Sequence, residues 1–63
     1  MSLDHDLEKN VGAYYSVKLC ANTNRVEIIK KDKVIGMRIF KKYCDAVNLF
    51  ARLKKVADVK ELL

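Results

Sequence analysis

The chain has 63 residues, of which 51% are hydrophobic and 33% charged, and its formal net charge is +5. This length predicts a single small domain over residues 1–63, close to the lower size limit for an unaided hydrophobic core, so we expect added stability from a bridge, a metal, a partner subunit or a larger parent chain. The aliphatic content favours a folded domain over a disordered chain, and no apolar run approaches the roughly 20 residues that span a bilayer. The acidic N-terminus does not resemble a signal peptide, so a cytoplasmic protein is expected.

The N-terminal segment, residues 1–13, carries weak structural signals. Ser2–Lys9 predicts a turn or two of helix with Ser2 as its cap. The segment is short enough to be frayed or partly vector-derived. Asn10 and Gly12 are turn residues that would lead the chain into a sheet.

Three runs between residues 14 and 40 alternate in the period-2 sense of β-strands. They are Tyr14–Cys20, Arg25–Lys30 and Lys33–Phe40. The first two runs place a clear set of side chains on the core face: Tyr15, Val17, Leu19, Val26 and Ile28. The turns between the runs contain Asn22, Asn24 and Asp32, which favour tight hairpins and predict an antiparallel meander.

The third run is ambiguous because apolar residues occupy both of its faces. We assign one alternating set inward, namely Ile35, Met37 and Ile39. The other set then points outward, namely Val34, Gly36, Arg38 and Phe40. A strand that is apolar on both sides predicts that something covers it, such as a second subunit.

An amphipathic helix is predicted from Tyr43, where the apolar period changes to 3.6. Asp58 followed by Glu61 has the form of a capping box, which predicts a kink or restart near Asp58 within residues 43–63. The expected fold is therefore α+β: a three-stranded antiparallel β-meander over residues 14–40, followed by one C-terminal helix packed on one sheet face. Val59, Leu62 and Leu63 form an apolar end with no evident cover.

The sequence predicts neither catalysis nor a cofactor. His5 is the only histidine, and with Cys20 and Cys44 it falls short of the four Cys or His ligands of a structural zinc site. A Cys20–Cys44 bridge is geometrically conceivable, but two small buried thiols are the favoured interpretation. No nucleophile has a recognisable base partner, and isolated glycines do not make a phosphate-binding loop. A non-enzymatic binding module is expected.

DNA binding is the favoured function, through the sheet face that the helix leaves free. Basic side chains on this face and at its flanks would neutralise phosphates, while Arg25 and Arg38 contact base edges. The candidate residues are Lys18, Arg25, Lys30, Lys31, Lys33, Arg38, Lys41 and Lys42.

The interpretation without nucleic acid carries similar weight to DNA binding. Lysines in turns and at strand ends are often simply solvated, and on edge strands they oppose aggregation. The chain would then be a protein-interaction module with no nucleic-acid role. In that case a homodimer would form through apolar residues, namely Val34, Phe40, Val59, Leu62 and Leu63.

The residues Gly36–Phe40, followed by Asp45–Val47 at the start of the helix, resemble the passage from third strand to helix in known DNA-binding domains. These are the plant AP2-type domain and the arm-site-binding domains of phage and transposon integrases. The resemblance covers about residues 14–55 and rests on topology and a few residue types, while the tryptophans of AP2 domains are absent. It implies that the sheet enters the major groove with Lys18, Arg25 and Arg38, and we do not assign the chain to either family.

Overall fold

A computed structural model describes residues 5–63 of the chain. One antiparallel sheet has the strand order β1-β2-β3-β4, and two helices follow it. The strands are β1 (Leu7–Val11), β2 (Tyr15–Cys20), β3 (Arg25–Lys30) and β4 (Lys33–Ile39), and the helices are α1 (Tyr43–Arg52) and α2 (Val56–Lys60). The α+β class with an antiparallel sheet and a C-terminal helix is confirmed. The sheet has four strands instead of the predicted three.

The additional strand, β1, replaces the predicted N-terminal helix. Its residues pair with β2 along their whole length, from Leu7 opposite Leu19 to Val11 opposite Tyr15. Val11 is buried in the core. An isolated helix of two turns is marginal in water, so strand pairing and the burial of Val11 outweigh the local helical pattern. The predicted cap, Ser2, lies outside the described residues.

The segment before β1 is attached to both the sheet and the helix. The carboxylate of Asp6 accepts a hydrogen bond of 2.7 Å from the backbone N–H of Ala21, in the turn between β2 and β3. The hydroxyl of Tyr43, the first residue of α1, donates to the carbonyl oxygen of His5 at 2.7 Å. These contacts hold the start of β1 beside α1.

A lysine connects β1 to the other end of α1. The ammonium of Lys9 donates a hydrogen bond to the carbonyl oxygen of Phe50 and lies 4.5 Å from the centroid of the Phe50 ring. Desolvation lowers the pKa of Lys9 below its usual value, and the positive charge of Lys54 lowers it further. The aliphatic part of this side chain thus covers the edge of the core.

The core lies between one face of the sheet and the two helices. Its buried members are Val11, Val17, Leu19, Val26, Ile28, Ala46, Leu53 and Val59. The core-facing positions predicted for the first two strands are confirmed for the four aliphatic residues, while Tyr15 is half-buried. The apolar C-terminal end was predicted to lack cover. Val59 is instead fully buried, Leu62 packs against the core, and Leu63 is exposed.

A shift of one residue in the pairing of β4 with β3 changes which side chains of β4 face the helices. Lys31 and Asp32 both have positive φ, 51° and 65°, and form a two-residue hairpin turn that sets Lys30 opposite Lys33. A regular ladder from this turn would place Ile35 opposite Ile28. A β-bulge between Ile28 and Ile29 places Gly36 there instead.

The bulge reverses the faces of β4 beyond Ile35. Met37 lies opposite Glu27 and Ile39 opposite Arg25, on the face away from the helices, whereas Arg38 lies opposite the buried Val26. Residues directly opposite each other in an antiparallel pair share a face. The prediction that Met37 and Ile39 point inward and Gly36 and Arg38 outward is therefore wrong.

The helical segment breaks earlier than predicted. α1 ends at Arg52, and α2 begins at Val56. The side chain of Asp58 accepts the backbone N–H groups of Lys54 and Lys55 at 3.3 and 3.1 Å, so it caps α2 from within the first turn of that helix. The second helix therefore does not begin at Asp58 but earlier, at Val56.

Gly12 offers a test of this packing. Its φ is +69°, and a Cβ atom at this position would collide with the side chain of Val56 in α2. We expect Gly12→Ala to lower the free energy of unfolding by about 2 kcal/mol or more, because backbone strain and overpacking act together. Urea denaturation followed by circular dichroism measures this loss.

Gly36→Ala is the matched control. A Cβ atom there would lie 2.7 Å from Cδ2 of Leu63, the flexible side chain of the last residue. Because Leu63 can move aside, this substitution should cost clearly less than Gly12→Ala. Equal losses for the two variants would contradict the packing of the β1–β2 turn on α2.

Candidate interaction surface

The sheet face directed away from the helices, here called the open face, receives side chains from all four strands. They are Glu8, Asn10, Ser16, Lys18, Cys20, Arg25, Glu27, Ile29, Val34, Met37 and Ile39, as the strand registers place them. No helix or strand of the described residues 5–63 covers this face. Its charge and polarity therefore determine which partner it suits.

The charges of the open face compensate one another. Glu8 lies opposite Lys18, which lies opposite Glu27 on the next strand. The Nε atom of Arg25 lies 3.4 Å from Oε2 of Glu27. Each cation on this face thus has a carboxylate beside or opposite it, so the face does not present the excess of positive charge that phosphate contacts require.

The predicted lysines other than Lys18 lie at the two opposite ends of the sheet. Lys30, Lys31 and Lys33 surround the β3–β4 turn, whereas Lys41 and Lys42 lie between β4 and α1. A strand rises roughly 3.3 Å per residue, so β3 separates the two groups by about 17 Å. The ammonium of Lys30 lies 5.4 Å from the ring centroid of Tyr15. The structure does not unite these residues into one patch.

Two residues predicted for the free face lie elsewhere. Arg38 shares the helix-facing side of the sheet with Val26, so it cannot act on the same surface as Lys18 and Arg25. Phe40 is half-buried and packs against the core. The groove-binding trio implied by the resemblance to AP2-type and arm-site-binding domains is therefore divided between two faces.

Sequence reasoning missed an exposed apolar surface on β4. We call Val34, Ile35, Met37 and Ile39 the apolar band; their exposed fractions are 53%, 41%, 50% and 67%. The sequence does show that β4 is apolar on both faces. The alternation of residue types does not reveal the bulge, so the sequence prediction assigns Met37 and Ile39 to the wrong face of β4.

Along one edge of β4, the backbone is not paired by any strand of residues 5–63. β4 neighbours only β3 in the sheet, and the N–H of Phe40 donates to the carbonyl oxygen of Asn24 at 2.9 Å. Backbone groups alternate in direction along an antiparallel strand, so those of Arg38 also point toward β3. The N–H and C=O groups of Met37 and Ile39 then point to the free edge, next to their own exposed side chains.

A cleft lies on the other side of β4, between this strand and the helices. Its volume is about 390 Å³. The lining residues are Arg38, Phe40, Asp45, Asn48, Leu49, Arg52 and Leu62. Asp45, Asn48 and Arg52 follow one side of α1 at helical spacing. Within residues 5–63, Arg25 and Glu27 form the one ion pair. Neither Arg38 nor Arg52 pairs with a carboxylate in this part of the chain.

The cysteines differ in exposure. Both are free thiols; Cys44 is exposed at the start of α1, and Cys20 is half-buried on the open face. The expectation that both are buried is therefore wrong for Cys44. The Sγ atom of Cys20 lies 3.7 Å from Oε1 of Glu27 and 3.9 Å from Nη2 of Arg25.

Among residues 5–63, no three His, Cys, Asp or Glu side chains are grouped so that they could hold a metal ion. The helices of this part of the chain are all too short or too polar to cross a membrane. Comparison with known protein families, with curated proteins and with solved structures finds no match.

Thiol labelling tests the geometry of the two cysteines. We expect a thiol reagent to modify Cys44 rapidly and Cys20 slowly in the native protein, because Cys20 is shielded by Arg25 and Glu27. The measurement is the time course of modification, with unfolded protein as the reference for equal rates. Cys44→Ser should remove the rapid phase. A rapid phase that persists in this variant would contradict the placement of Cys20.

Proposed function

We propose that this chain is a small, non-enzymatic protein-interaction module that binds an extended segment of another protein along the free edge of β4. The observation that carries the proposal is the coincidence of the apolar band with the backbone groups of Met37 and Ile39, which no strand of the described part of the chain pairs. Strand addition to a sheet edge uses both features: backbone hydrogen bonds supply affinity, and alternate side-chain contacts supply specificity.

The edge of β4 is only partly protected against pairing with another strand. Natural edge strands are blunted by lysine, proline or inward-pointing charges. In β4 a lysine stands at the start, Lys33, and the charged Arg38 lies on the helix side; the other exposed residues of the strand are the apolar band. The bulge beside Ile35 shortens the regular part of the edge, which favours a short partner segment over open-ended aggregation.

The magnitudes are consistent with binding of moderate affinity. Complete burial of an aliphatic side chain contributes about 1.5–3 kcal/mol, so covering the half-exposed apolar band contributes on the order of 4 kcal/mol. Each new backbone hydrogen bond adds about 1 kcal/mol. A micromolar complex requires about 8 kcal/mol, after the losses of freedom on association. The apolar band alone is therefore insufficient, and backbone pairing must contribute.

DNA binding is the second candidate. The net charge of +5 and the exposed Lys31, Lys33, Lys41 and Lys42 support contact with phosphates at the ends of the sheet. The charge balance of the open face and the placement of Arg38 on the other face argue against base recognition by the sheet.

A library of random displayed peptides tests the proposed function and does not require the partner to be identified first. We expect the wild-type chain to enrich extended peptides with alternating apolar residues. Ile39→Lys should weaken the binding of an enriched peptide by about tenfold or more, because it places a charge in the apolar band. Fluorescence anisotropy with the labelled peptide measures the affinity.

Leu7→Lys is the matched control for Ile39→Lys. Leu7 is a 38% exposed aliphatic residue on the other edge strand, β1. This variant should bind the peptide as the wild type does. If no peptide is enriched, or if both variants bind equally well, the proposed role of β4 is wrong.

A parallel titration with random-sequence duplex DNA addresses the second candidate. Under the proposed function, any duplex binding at low salt should disappear near physiological salt, since the lysines are divided between two ends of the sheet. Tight binding that survives physiological salt and is lost in the double variant Lys41→Gln/Lys42→Gln would favour DNA over a protein partner.

A further inference from the structure

We infer that the segment bound by β4 carries acidic side chains in alternation with apolar ones, and that Arg38 and Arg52 bind its carboxylates in the cleft beside the strand. This inference rests on the proposed function, because it specifies which extended segment fits the edge of β4. It is carried by the strand register, the cleft and the unpaired arginines, each of which is a separate observation.

The register of β4 determines which partner residues reach which side. Side chains of an added strand alternate between the two faces of the sheet, as those of β4 do. Partner residues beside Met37 and Ile39 would contact these two members of the apolar band on the open face. The residues between them would point to the helix side, where Arg38 lies. One extended segment therefore meets an apolar surface and an arginine at alternate positions.

The cleft is open at the edge where such a segment would lie. α1 packs over β2 and β3, the two central strands, and leaves the helix side of β4 to the cleft. The volume of about 390 Å³ is sufficient for one or two acidic side chains. Arg38 enters the cleft from the strand, and Arg52 enters it from the last turn of α1.

The cleft contains positive charge that the described part of the chain does not neutralise. Arg38 and Arg52 form no ion pair within residues 5–63, although Asp45 also lines the cleft. A guanidinium group binds a carboxylate through two parallel hydrogen bonds. Leu49 and Leu62 supply apolar lining beside the two arginines.

A second copy of the chain fits this edge less well. Antiparallel pairing of two β4 strands would place Arg38 of one copy opposite residues such as Gly36 or Arg38 of the other, on the helix side. β4 contains no acidic residue, so self-pairing leaves both arginines without a carboxylate and brings like charges together in one register. The charge pattern favours a different, acidic partner.

Two synthetic peptides that differ only in charge test this inference. Each has about nine residues, a usual strand length, with valine and threonine at odd positions; the even positions are glutamate in one and glutamine in the other. We expect the glutamate peptide to bind the full chain about tenfold more tightly at low salt. The difference should shrink as salt is added, because it depends on charge.

Substitutions assign the charge preference to the cleft. Arg38→Gln and Arg52→Gln should each reduce the advantage of the glutamate peptide severalfold, because they weaken the binding of that peptide much more than the binding of the glutamine peptide. Lys18→Gln removes the same charge from the open face and should preserve the advantage. Urea denaturation of each variant verifies that it is folded, and Arg52→Gln provides an independent result should Arg38→Gln fail to fold.

The outcomes distinguish a failure of the acidic preference from a failure of the proposed function. Equal affinity for the two peptides, with binding still lost in Ile39→Lys, would overturn the acidic preference and leave the role of β4 intact. An advantage that persists in both arginine variants would also overturn it. If neither peptide binds and sedimentation shows a dimer that Ile39→Lys dissociates, the partner is a second copy. If neither peptide binds and the chain stays monomeric, the proposed function itself fails.

Discussion

The β-bulge between β3 and β4 is the constraint on which the surface of this protein depends. It places Gly36 opposite the buried Ile28 on the helix side, where the absent side chain leaves room for Leu63 at the end of the chain. Because side chains alternate with a period of two, a shift of one residue exchanges the faces of everything that follows. Arg38 therefore joins the helix side, and Met37 and Ile39 join the open face.

That exchange creates two different surfaces on the same edge strand. The open face gains an apolar band beside compensated charges, while the helix side gains an arginine beside a cleft. Both surfaces adjoin the backbone groups of Met37 and Ile39, which no strand of the described residues 5–63 pairs. An extended segment is the shape that reaches all three features at once, and alternation of apolar with acidic residues is the chemistry that satisfies them.

Much of the fold follows from local sequence. The alternation in β2 and β3 predicted their bounds and core residues almost residue by residue, and the change of period at Tyr43 located the start of α1. The errors have physical causes. β1 appeared helical because its strand character comes from pairing with β2, a long-range contact that no local pattern contains. The break between the helices lies before the predicted position because Asp58, inside the first turn of α2, caps the backbone N–H groups that precede this helix.

The candidate site was less predictable than the fold. Lysine clustering in the sequence suggested one basic surface, but the clusters fall at turns, and a hairpin sheet sends successive turns to opposite ends. The unusual feature of β4, apolar residues on both faces, was visible in the sequence and suggested a covered surface. Which residues form that surface cannot be predicted from β4 alone, since the bulge is a feature of the pairing between β3 and β4.

Amide hydrogen exchange of dilute protein, resolved by NMR, tests the central claim most directly. If β4 is a free edge in the register described, the N–H of Arg38 is protected by its bond to β3, and that of Phe40 by its bond to Asn24, just before β3. The N–H groups of Met37 and Ile39 then exchange nearly as fast as in an unfolded chain. The opposite alternation, with Met37 and Ile39 protected and Arg38 free, would contradict the register and remove the basis for an acidic partner strand.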